Sequence, residues 1–331
     1  MSPPVIAITM GDPAGVGPEI CLRALNEPRV LKACVPVVVG NSQVLEALSR
    51  RLDIPLAAEK LHRDDFDHHF PPAGPAIVDM HVMGLDDFVP GRMDPVCGHA
   101  AYGYIVYAVD GALGGHFDAV ATAPICKEAM FQANIRFPGH TEILQQMTHS
   151  PGVVMMLYSP RVTVSLVTAH VSLRDVPAAV TQERVGRTIR LTHEMMTPLL
   201  GHSPRIGVLA LNCHAGEGGI FGQEDRLHIA PAVEKARANG MLVNGPLPPD
   251  TAFTERSLEL FDAYVCMYHD QGLIPFKTLS FDQGVNVTLG LPIIRTSVDH
   301  GTAFDIAWKG TADHSSLVAA IELAARLAAE T

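Results

Sequence analysis

The chain has 331 residues, a length typical of about two domains. Its composition, 47% hydrophobic and 18% charged, is typical of a globular enzyme with a sizeable core. The net charge of −11 disfavours nucleic acid and anionic membrane as main partners, because both favour a basic surface. The chain shows neither an apolar run of membrane-spanning length nor a signal-peptide pattern, and its six cysteines are dispersed, so we expect a cytoplasmic protein.

Short apolar, β-rich runs alternate with helical patterns along the chain. Strands are predicted at residues 5–10, 35–40, 118–124, 153–158, 162–170, 205–212 and 263–269. Helices are predicted near Pro18, after the Asn41-Ser42 cap, at 182–200 and 229–239, and over 317–328 at the C-terminus. This alternation predicts an α/β protein with a mostly parallel sheet. The polar stretch 61–75 is expected to be a surface loop.

Three histidines occupy the same position relative to predicted strands. His170, His214 and His269 each stand at or just past a strand's C-terminal end, the edge at which open α/β sheets bind ligands. Three converging imidazoles would suit Zn²⁺ or a similar divalent ion, with Asp270 or Asp175 ligating or orienting the rings. The spacing forms no local metal motif, so a structural role for each histidine remains the alternative.

Two other polar stretches have uncertain roles. His62, His68 and His69 lie in the polar stretch 61–75, where a solvated surface is the favoured interpretation. The segment HAGEGGIFGQED, residues 214–225, contains four glycines that allow either close approach to a ligand or a tight connecting loop.

Candidate anion-binding residues form two sets. His140 and Thr141, in PGHTE, stand just before a predicted helix, whose N-terminus attracts phosphate or carboxylate; Thr141 as an ordinary N-cap is the alternative. Lys277, Asn286 and Arg295 follow at intervals of nine, each as a lone polar group in an apolar neighbourhood. Lys and Arg are rarely buried unpaired, so the two cations either reach the surface or bind something negative.

A nicotinamide cofactor, if bound, is not bound by the usual Rossmann turn. The pair Gly15 and Gly17 is followed by Pro18-Glu19-Ile20, so the G-x-G-x-x-G pattern is missing. A long segment, 297–313, precedes the last helix and offers small residues, a hydroxyl, backbone donors and a carboxylate for ribose. A helix cap with no ligand is the alternative. The candidate cofactor-binding residues are His300, Gly301, Thr302, Ala303 and Asp305.

Several long motifs together resemble the 4-hydroxythreonine-4-phosphate dehydrogenase family and its 4-phospho-threonate and 4-phospho-erythronate dehydrogenase sister branch. The motifs, which span nearly the whole chain, are AITMGDPAGVGPEI, TAPICKEA, FPGHTE, TAHVSLRDV, LNCHAGEGGIFGQED, NGPLPPDT, MYHDQGLIPFK and GVNVTLGLPIIRTSVDHGTAFDIA. The resemblance implies a two-domain fold like that of isocitrate and isopropylmalate dehydrogenases, with the active-site cleft between the domains. We expect a cofactor-side domain, 1–128 plus 283–331, and a metal, substrate and dimerisation domain, 129–282.

The resemblance also implies roles for individual residues. The family's metal ligands fall on His170, His214 and His269, shared between the subunits of a homodimer, and the metal would be Zn, Mg or Co. Its substrate-binding positions fall on His140, Thr141, Lys277, Asn286 and Arg295. The stretch HGTAFDIAWKG is similar to the adenosine-binding loop of isopropylmalate dehydrogenases, which implies NAD or NADP. Lys277 and Asp270 are the candidate catalytic proton carriers.

The implied reaction is oxidation of the C3 hydroxyl of 4-phosphooxy-L-threonine, followed by decarboxylation to 3-amino-2-oxopropyl phosphate in pyridoxal 5′-phosphate biosynthesis. Cys126 replaces a common asparagine and Trp308 a common glycine, and the tryptophan also resembles the sister branch. The alternative reaction is therefore oxidation of 4-phospho-D-threonate or 4-phospho-D-erythronate at C3. From another class, a metal-dependent acyl or phosphoryl transferase and an inactive paralogue are weaker hypotheses.

Overall fold

The computed structural model describes residues 2–64, 70–280 and 284–330. The chain divides into two compact units: unit 1 is Met1–Val153 with Leu291–Thr331, and unit 2 is Val154–Gly290. The N- and C-terminal segments thus share one unit, and the middle of the chain forms the other. The predicted boundary at residues 282 and 283 lies outside the described residues. The division by role, 1–128 plus 283–331 and 129–282, therefore stays a prediction.

Strands and helices alternate through the described residues. The strands are β1 (Val5–Thr9), β2 (Val35–Gly40), β3 (Glu59–His62), β4 (Ala76–Asp79), β5 (Ala119–Thr122), β6 (Val154–Tyr158), β7 (Thr163–Leu166), β8 (Ile206–Leu209), β9 (Val243–Leu247), β10 (Ala263–Cys266), β11 (Val285–Leu289) and β12 (Ile294–Ser297). The helices are α1 (Gly17–Ala24), α2 (Pro28–Ala33), α3 (Ser42–Leu52), α4 (Pro95–Leu113), α5 (Lys127–Gln132), α6 (His140–Met147), α7 (Val176–Ala179), α8 (Gln182–Leu200), α9 (Ala230–Ala238), α10 (Glu255–Leu258), α11 (His269–Ser280) and α12 (Ser315–Glu330). The predicted α/β fold class is confirmed.

Unit 1 contains strands in the order β3-β4-β2-β1-β5-β12, and the pairs described are parallel. The central strands are buried along almost their whole length, as expected for parallel strands covered on both faces. Helix α3 begins where the sequence predicts, because the side chain of Asn41 accepts a hydrogen bond from the Val44 amide. The carboxyl ends of β1, β5 and β12 lie side by side at one edge of this sheet.

Unit 2 contains strands in the order β11-β6-β7-β10-β8-β9. The pairs β7 with β10, β10 with β8 and β8 with β9 are parallel, whereas β6 is antiparallel to both β7 and β11. The carboxyl ends of β7, β10 and β8 are therefore neighbours, although β10, which lies between the other two in the sheet, follows both of them in the chain.

The predicted surface loop at 61–75 needs a correction at its start. Leu61 and His62 belong to β3, which pairs with β4 and places Leu61 in the core while its neighbours are exposed. The charged residues of this short strand concealed it in the sequence, and charge is usual on a strand at the edge of a sheet. His68 and His69 lie outside the described residues. Among the described helices, none combines the length and the apolar character needed to cross a membrane.

Candidate active site

The three histidines of unit 2 follow the carboxyl ends of three adjacent parallel strands. His170 follows β7, His269 follows β10 and His214 follows β8. The rings of His170 and His269 lie 6.0 Å apart between centroids and are tilted by 42°. A hydrogen bond of 2.7 Å from the Thr168 hydroxyl to the Met267 carbonyl joins the two strand exits just before these histidines. The local backbone thus brings two imidazoles together.

The residues after His269 explain why an amide and a glycine follow this strand. Gln271 is almost fully buried; its Oε1 accepts from the Met267 amide at 2.6 Å and its Nε2 donates to the Ala210 carbonyl at 2.8 Å. It therefore ties the start of α11 to the ends of β10 and β8. A Cβ atom at Gly272 would lie 2.9 Å from a methyl carbon of Leu166 and 3.3 Å from the Cβ of Cys266, so the start of α11 packs closely on β7 and β10.

Asp270 contacts His269, the residue at which α11 begins. Its Oδ1 lies 2.7 Å from Nδ1 of His269. Because a carboxylate only accepts, this contact favours the tautomer with the proton on Nδ1, and the Nε2 lone pair is left available for a metal. Asp175 is bonded to the Ser172 hydroxyl instead of to a histidine.

His214 lies in a loop built from left-handed residues. His214, Ala215 and Glu217 have φ values of 51°, 53° and 39°, and the glycines between and after them continue the pattern. Asp225 is buried and accepts from the Leu211 amide at 2.7 Å, which fixes the entry to the loop. The loop therefore has a defined left-handed backbone conformation, held at its entry by Asp225.

His214 does not join the other two histidines within one chain. Its side chain is 62% exposed, and its ring packs against Phe221 at 6.3 Å. In the part of the chain that the structure describes, no group of three or more His, Cys, Asp or Glu side chains is placed to hold a metal. Two of the three predicted ligands are paired, and the third is presented at the surface.

Two further predicted residues lie in unit 2. Lys277 is on α11, two turns after His269, and is half-buried; burial lowers the pKa of its ammonium group below the usual value. Asn286 is on β11, opposite Leu157 of β6, and is partly exposed.

The predicted anion-binding residues of unit 1 cluster around the start of α6. His140 is the first residue of this helix and Thr141 the second, so Thr141 is not the N-cap; Gly139 holds that position and has no side chain to cap the helix. Among the described residues, no N-cap side chain satisfies the first-turn amides, and such a helix N-terminus attracts anions.

This cluster contains a buried cation, Arg295, and a neutral donor, His140. Arg295 is 3% exposed and donates from Nη2 to the Thr122 hydroxyl at 2.7 Å, and burial lowers the pKa of its guanidinium to about 9. Nε2 of His140 is buried and has no hydrogen-bond partner among the described residues. Burial, together with the charges of Arg295 and Lys127, holds the pKa of His140 well below its usual value. A neutral imidazole beside cations is suited to donate to an anion.

Lys127 belongs to this cluster and was missed by the sequence-based prediction. It is the first residue of α5, just after β5, and its Cε and Nζ lie 3.4 and 3.8 Å from the position of a Cβ at Gly139. Its place inside the motif TAPICKEA, directly after a predicted strand end, was the available signal.

The predicted cofactor-binding residues follow β12 at the same edge of the sheet. His300 and Asp305 are exposed, and Ala303 has a left-handed φ of 40°. The carbonyl of Thr302 accepts from the Val16 amide at 2.9 Å. A Cβ at Gly15 would lie 2.9 Å from that carbonyl oxygen. The glycine of the first turn thus serves packing against this loop, which agrees with the absence of a Rossmann fingerprint.

Comparison with known proteins reveals close relatives along the full chain. The family model described as "Pyridoxal phosphate biosynthetic protein PdxA" matches residues 32–324. A 4-hydroxythreonine-4-phosphate dehydrogenase of Desulforapulum autotrophicum is 49% identical, covering 97% of this chain and 95% of the relative. A D-threonate 4-phosphate dehydrogenase of Cupriavidus necator is 43% identical, covering 98% of this chain and 97% of the relative. The crystal structure of 4-hydroxythreonine-4-phosphate dehydrogenase from Klebsiella pneumoniae superposes with a TM-score of 0.87 at 41% identity, covering 98% of each chain.

Proposed function

Since the chain belongs to the PdxA family of pyridoxal phosphate biosynthetic proteins, we propose that it is an NAD(P)-dependent dehydrogenase acting on a 4-phosphorylated 3-hydroxy acid. The substrate proposed first is 4-phosphooxy-L-threonine, oxidised at C3 and then decarboxylated to 3-amino-2-oxopropyl phosphate. The observation that carries this proposal is the paired His170 and His269 at the carboxyl ends of parallel strands. When bound, the nicotinamide would supply the hydride acceptor, and a divalent metal would supply a Lewis acid for the C3 oxygen.

The donor set fits a metal that prefers nitrogen. His170 and His269 are neighbours, and the contact with Asp270 favours an available Nε2 on His269. An all-imidazole set suits Zn²⁺ or Co²⁺ better than Mg²⁺, which favours oxygen ligands. His214 of a second copy would complete the set of three.

Exposed apolar side chains beside the histidines support this homodimer. Ile220 and Phe221 of the His214 loop are 75% and 48% exposed, and Leu173, three residues after His170, is 71% exposed. Large apolar side chains with this much exposure are unfavourable in water, and beside candidate ligands they are typical of a surface that a second chain covers. Covering them with a second copy would bury them and present the second copy's His214.

We assign the proton transfer to Lys277 and the orientation of the metal ligand to Asp270. Lys277 has a pKa lowered by burial, which brings a lysine closer to the range in which it can both take and give a proton. Asp270 is already engaged with His269. Both residues were candidates for the proton carrier, and the contact of Asp270 favours Lys277.

The cluster at the start of α6 would hold the negative end of the substrate. Arg295 and Lys127 supply charge, His140 supplies a neutral donor, and Thr141 supplies a hydroxyl in the first helical turn. Such a grip fixes the reacting carbon in position. Asn286 is proposed as a further polar contact to the substrate.

D-threonate 4-phosphate is the second candidate substrate. Some relatives similar to this chain are named 4-hydroxythreonine-4-phosphate dehydrogenase, and others are named D-threonate 4-phosphate dehydrogenase. Trp308, the residue that suggested the sister branch, is 5% exposed and donates from Nε1 to the Pro13 carbonyl at 3.0 Å. It packs edge-on against Phe88. Its place is thus in the packing of unit 1, and it gives no reason to prefer the second substrate.

The proposed function is tested by NADH or NADPH formation with metal-loaded enzyme. The substrates are 4-phosphooxy-L-threonine, 4-phospho-D-threonate and 4-phospho-D-erythronate. We expect the highest kcat/KM with the first. A preference for either acid would keep the dehydrogenase assignment and change the substrate, and no turnover with any of them would contradict the proposal.

A further inference from the structure

The motif GDPAGVGPE at the start of the chain is highly buried but has no role in the chemistry proposed above. It forms the turn after β1 and the first residues of α1, and residues 11–20 are buried throughout. Its neighbour in unit 1 is the segment 298–314, which we call the cofactor loop. The turn contacts this loop from one side: the Thr302 carbonyl accepts from the Val16 amide, and the Trp308 indole donates to the Pro13 carbonyl.

Glu19 makes the most extensive contact with the cofactor loop. Its carboxylate is fully buried, and it accepts from the amides of Gly310 and Ala312, each at 3.1 Å. Arg23, one helical turn later, donates to the same carboxylate at 3.2 Å and to the Gly310 carbonyl at 2.8 Å. Glu19 and Arg23 thus hold the C-terminal part of the loop on α1 through three charge-assisted hydrogen bonds, and the contact between the two side chains holds them in place.

The loop needs such a clamp because its backbone is unfavourable by itself. Ala303 and Trp308 have left-handed φ values of 40° and 61°, a conformation that costs free energy in residues other than glycine. Gly310, with φ of 79°, ends this stretch at the point where Glu19 binds it. A loop held in one unusual conformation can present backbone donors and the Asp305 carboxylate at fixed places.

We propose that Glu19 is a positioning residue for the cofactor: it fixes the cofactor loop and thereby sets the affinity for the adenosine half of NAD(P), without touching the cofactor. The inference rests on the proposed function, since it takes residues 300–305 as the cofactor-binding segment. Burying a carboxylate costs free energy unless it is hydrogen-bonded, so Glu19 stays favourable only while the two loop amides and Arg23 remain in place.

The test compares Glu19→Gln with Asp118→Asn. Asp118 also accepts from a backbone amide, that of Val5 at 2.7 Å, but at the opposite end of β1 and β5. NADH binding is measured by fluorescence titration without substrate, and KM for NAD, KM for the phosphorylated substrate and kcat are measured separately. For Glu19→Gln we expect NADH affinity to fall by roughly tenfold, as when a charged hydrogen bond is weakened, with kcat and the substrate KM nearly unchanged.

Hydrogen exchange of residues 300–312 supplies a second readout, and faster exchange is expected in Glu19→Gln but not in Asp118→Asn. If Glu19→Gln does not fold, Arg23→Gln replaces it, because Arg23 is 28% exposed and acts on the same carboxylate. Wild-type NADH affinity in these α1 variants would overturn the inference and leave the proposed function intact. Absence of NADH binding by the wild-type enzyme would overturn the cofactor assignment and this inference together.

Discussion

The imidazole rings of His170 and His269 lie 6.0 Å apart although 99 positions separate them in the sequence. Their proximity follows from the parallel pairing of β7 with β10, because parallel neighbours deliver their following residues to the same edge of a sheet. The third candidate ligand, His214, follows the next strand, β8, but sits on a left-handed loop that exposes it. This arrangement of two paired histidines and one exposed histidine is the feature on which the metal proposal depends.

Replacing His269 by alanine should remove bound metal and turnover while leaving the fold intact. The side chain is 38% exposed, so its truncation opens no core cavity. Metal content, circular dichroism and NADH formation measure the three effects. His202→Ala, at an exposed position of the same unit, is the matched control. Near-normal metal content and activity in His269→Ala would exclude this residue as a ligand.

Replacing Lys127 by alanine should raise KM for the phosphorylated substrate by roughly tenfold, the cost of losing one charged contact to an anion. The KM for NAD should stay within error of the wild-type value. Steady-state kinetics with each substrate varied in turn provides the measurement. Lys32→Ala, an exposed lysine on α2 of the same unit, controls for the change in net charge. An equal effect of both variants would argue against a specific role for Lys127.

Much of the fold was predictable from local sequence. Continuous apolar runs identified β1, β2, β5, β6, β7, β8 and β10, because strands covered on both faces need apolar residues at nearly every position. The prediction omitted β4, β9 and β11, and it missed the edge strand β3, whose sequence EKLH is mostly polar. Strand order is a non-local property, so no spacing in the sequence could indicate that His170 meets His269.

The candidate anion site was only partly predictable for the same reason. His140 and Thr141 precede a helical pattern, and this local signal placed them correctly at the start of α6. Lys127 and Arg295 join them through the packing of α5 and β12, which depends on the whole of unit 1. The left-handed backbone at Trp308 also had no local signal beyond its difference from the glycine common in the family.

The unfolding free energy should depend on pH through Asp12. Burial raises the pKa of this carboxyl from 3.8 to about 6, and its Oδ2 has no hydrogen-bond partner among the described residues. The folded state therefore binds more protons than the unfolded state between these values, so the stability contribution is full below about pH 4 and is lost as pH rises through 6. The loss is on the order of 3 kcal/mol at pH 8.

Asp12→Asn should abolish this dependence and be more stable than the wild-type protein at pH 8. Urea unfolding at pH 4, 5, 6 and 8 provides the comparison, with Asp118→Asn as a carboxylate control in the same unit. An unchanged pH profile in Asp12→Asn would show that another group causes the dependence.

Trp308→Gly should destabilise the protein without changing substrate preference. Removal of a buried indole costs about 3 to 5 kcal/mol, of which about 1 kcal/mol is offset because glycine tolerates the left-handed backbone. Denaturant unfolding measures the loss, and kcat/KM with 4-phosphooxy-L-threonine and 4-phospho-D-threonate measures preference. Trp308→Phe should show an intermediate loss of stability. A switch of substrate in Trp308→Gly would contradict a purely packing role.

The most direct test of the shared metal site is complementation between two inactive variants. His214→Ala and His269→Ala are each inactive as homodimers in this account. Co-expressed with separate affinity tags, they should form heterodimers with one of two sites intact. Purified heterodimers should show about half of wild-type activity and metal content, and the unpurified random mixture about a quarter. Such recovery would establish that two copies build the site together. No recovery in purified heterodimers would contradict the proposal that His214 is supplied by the second copy.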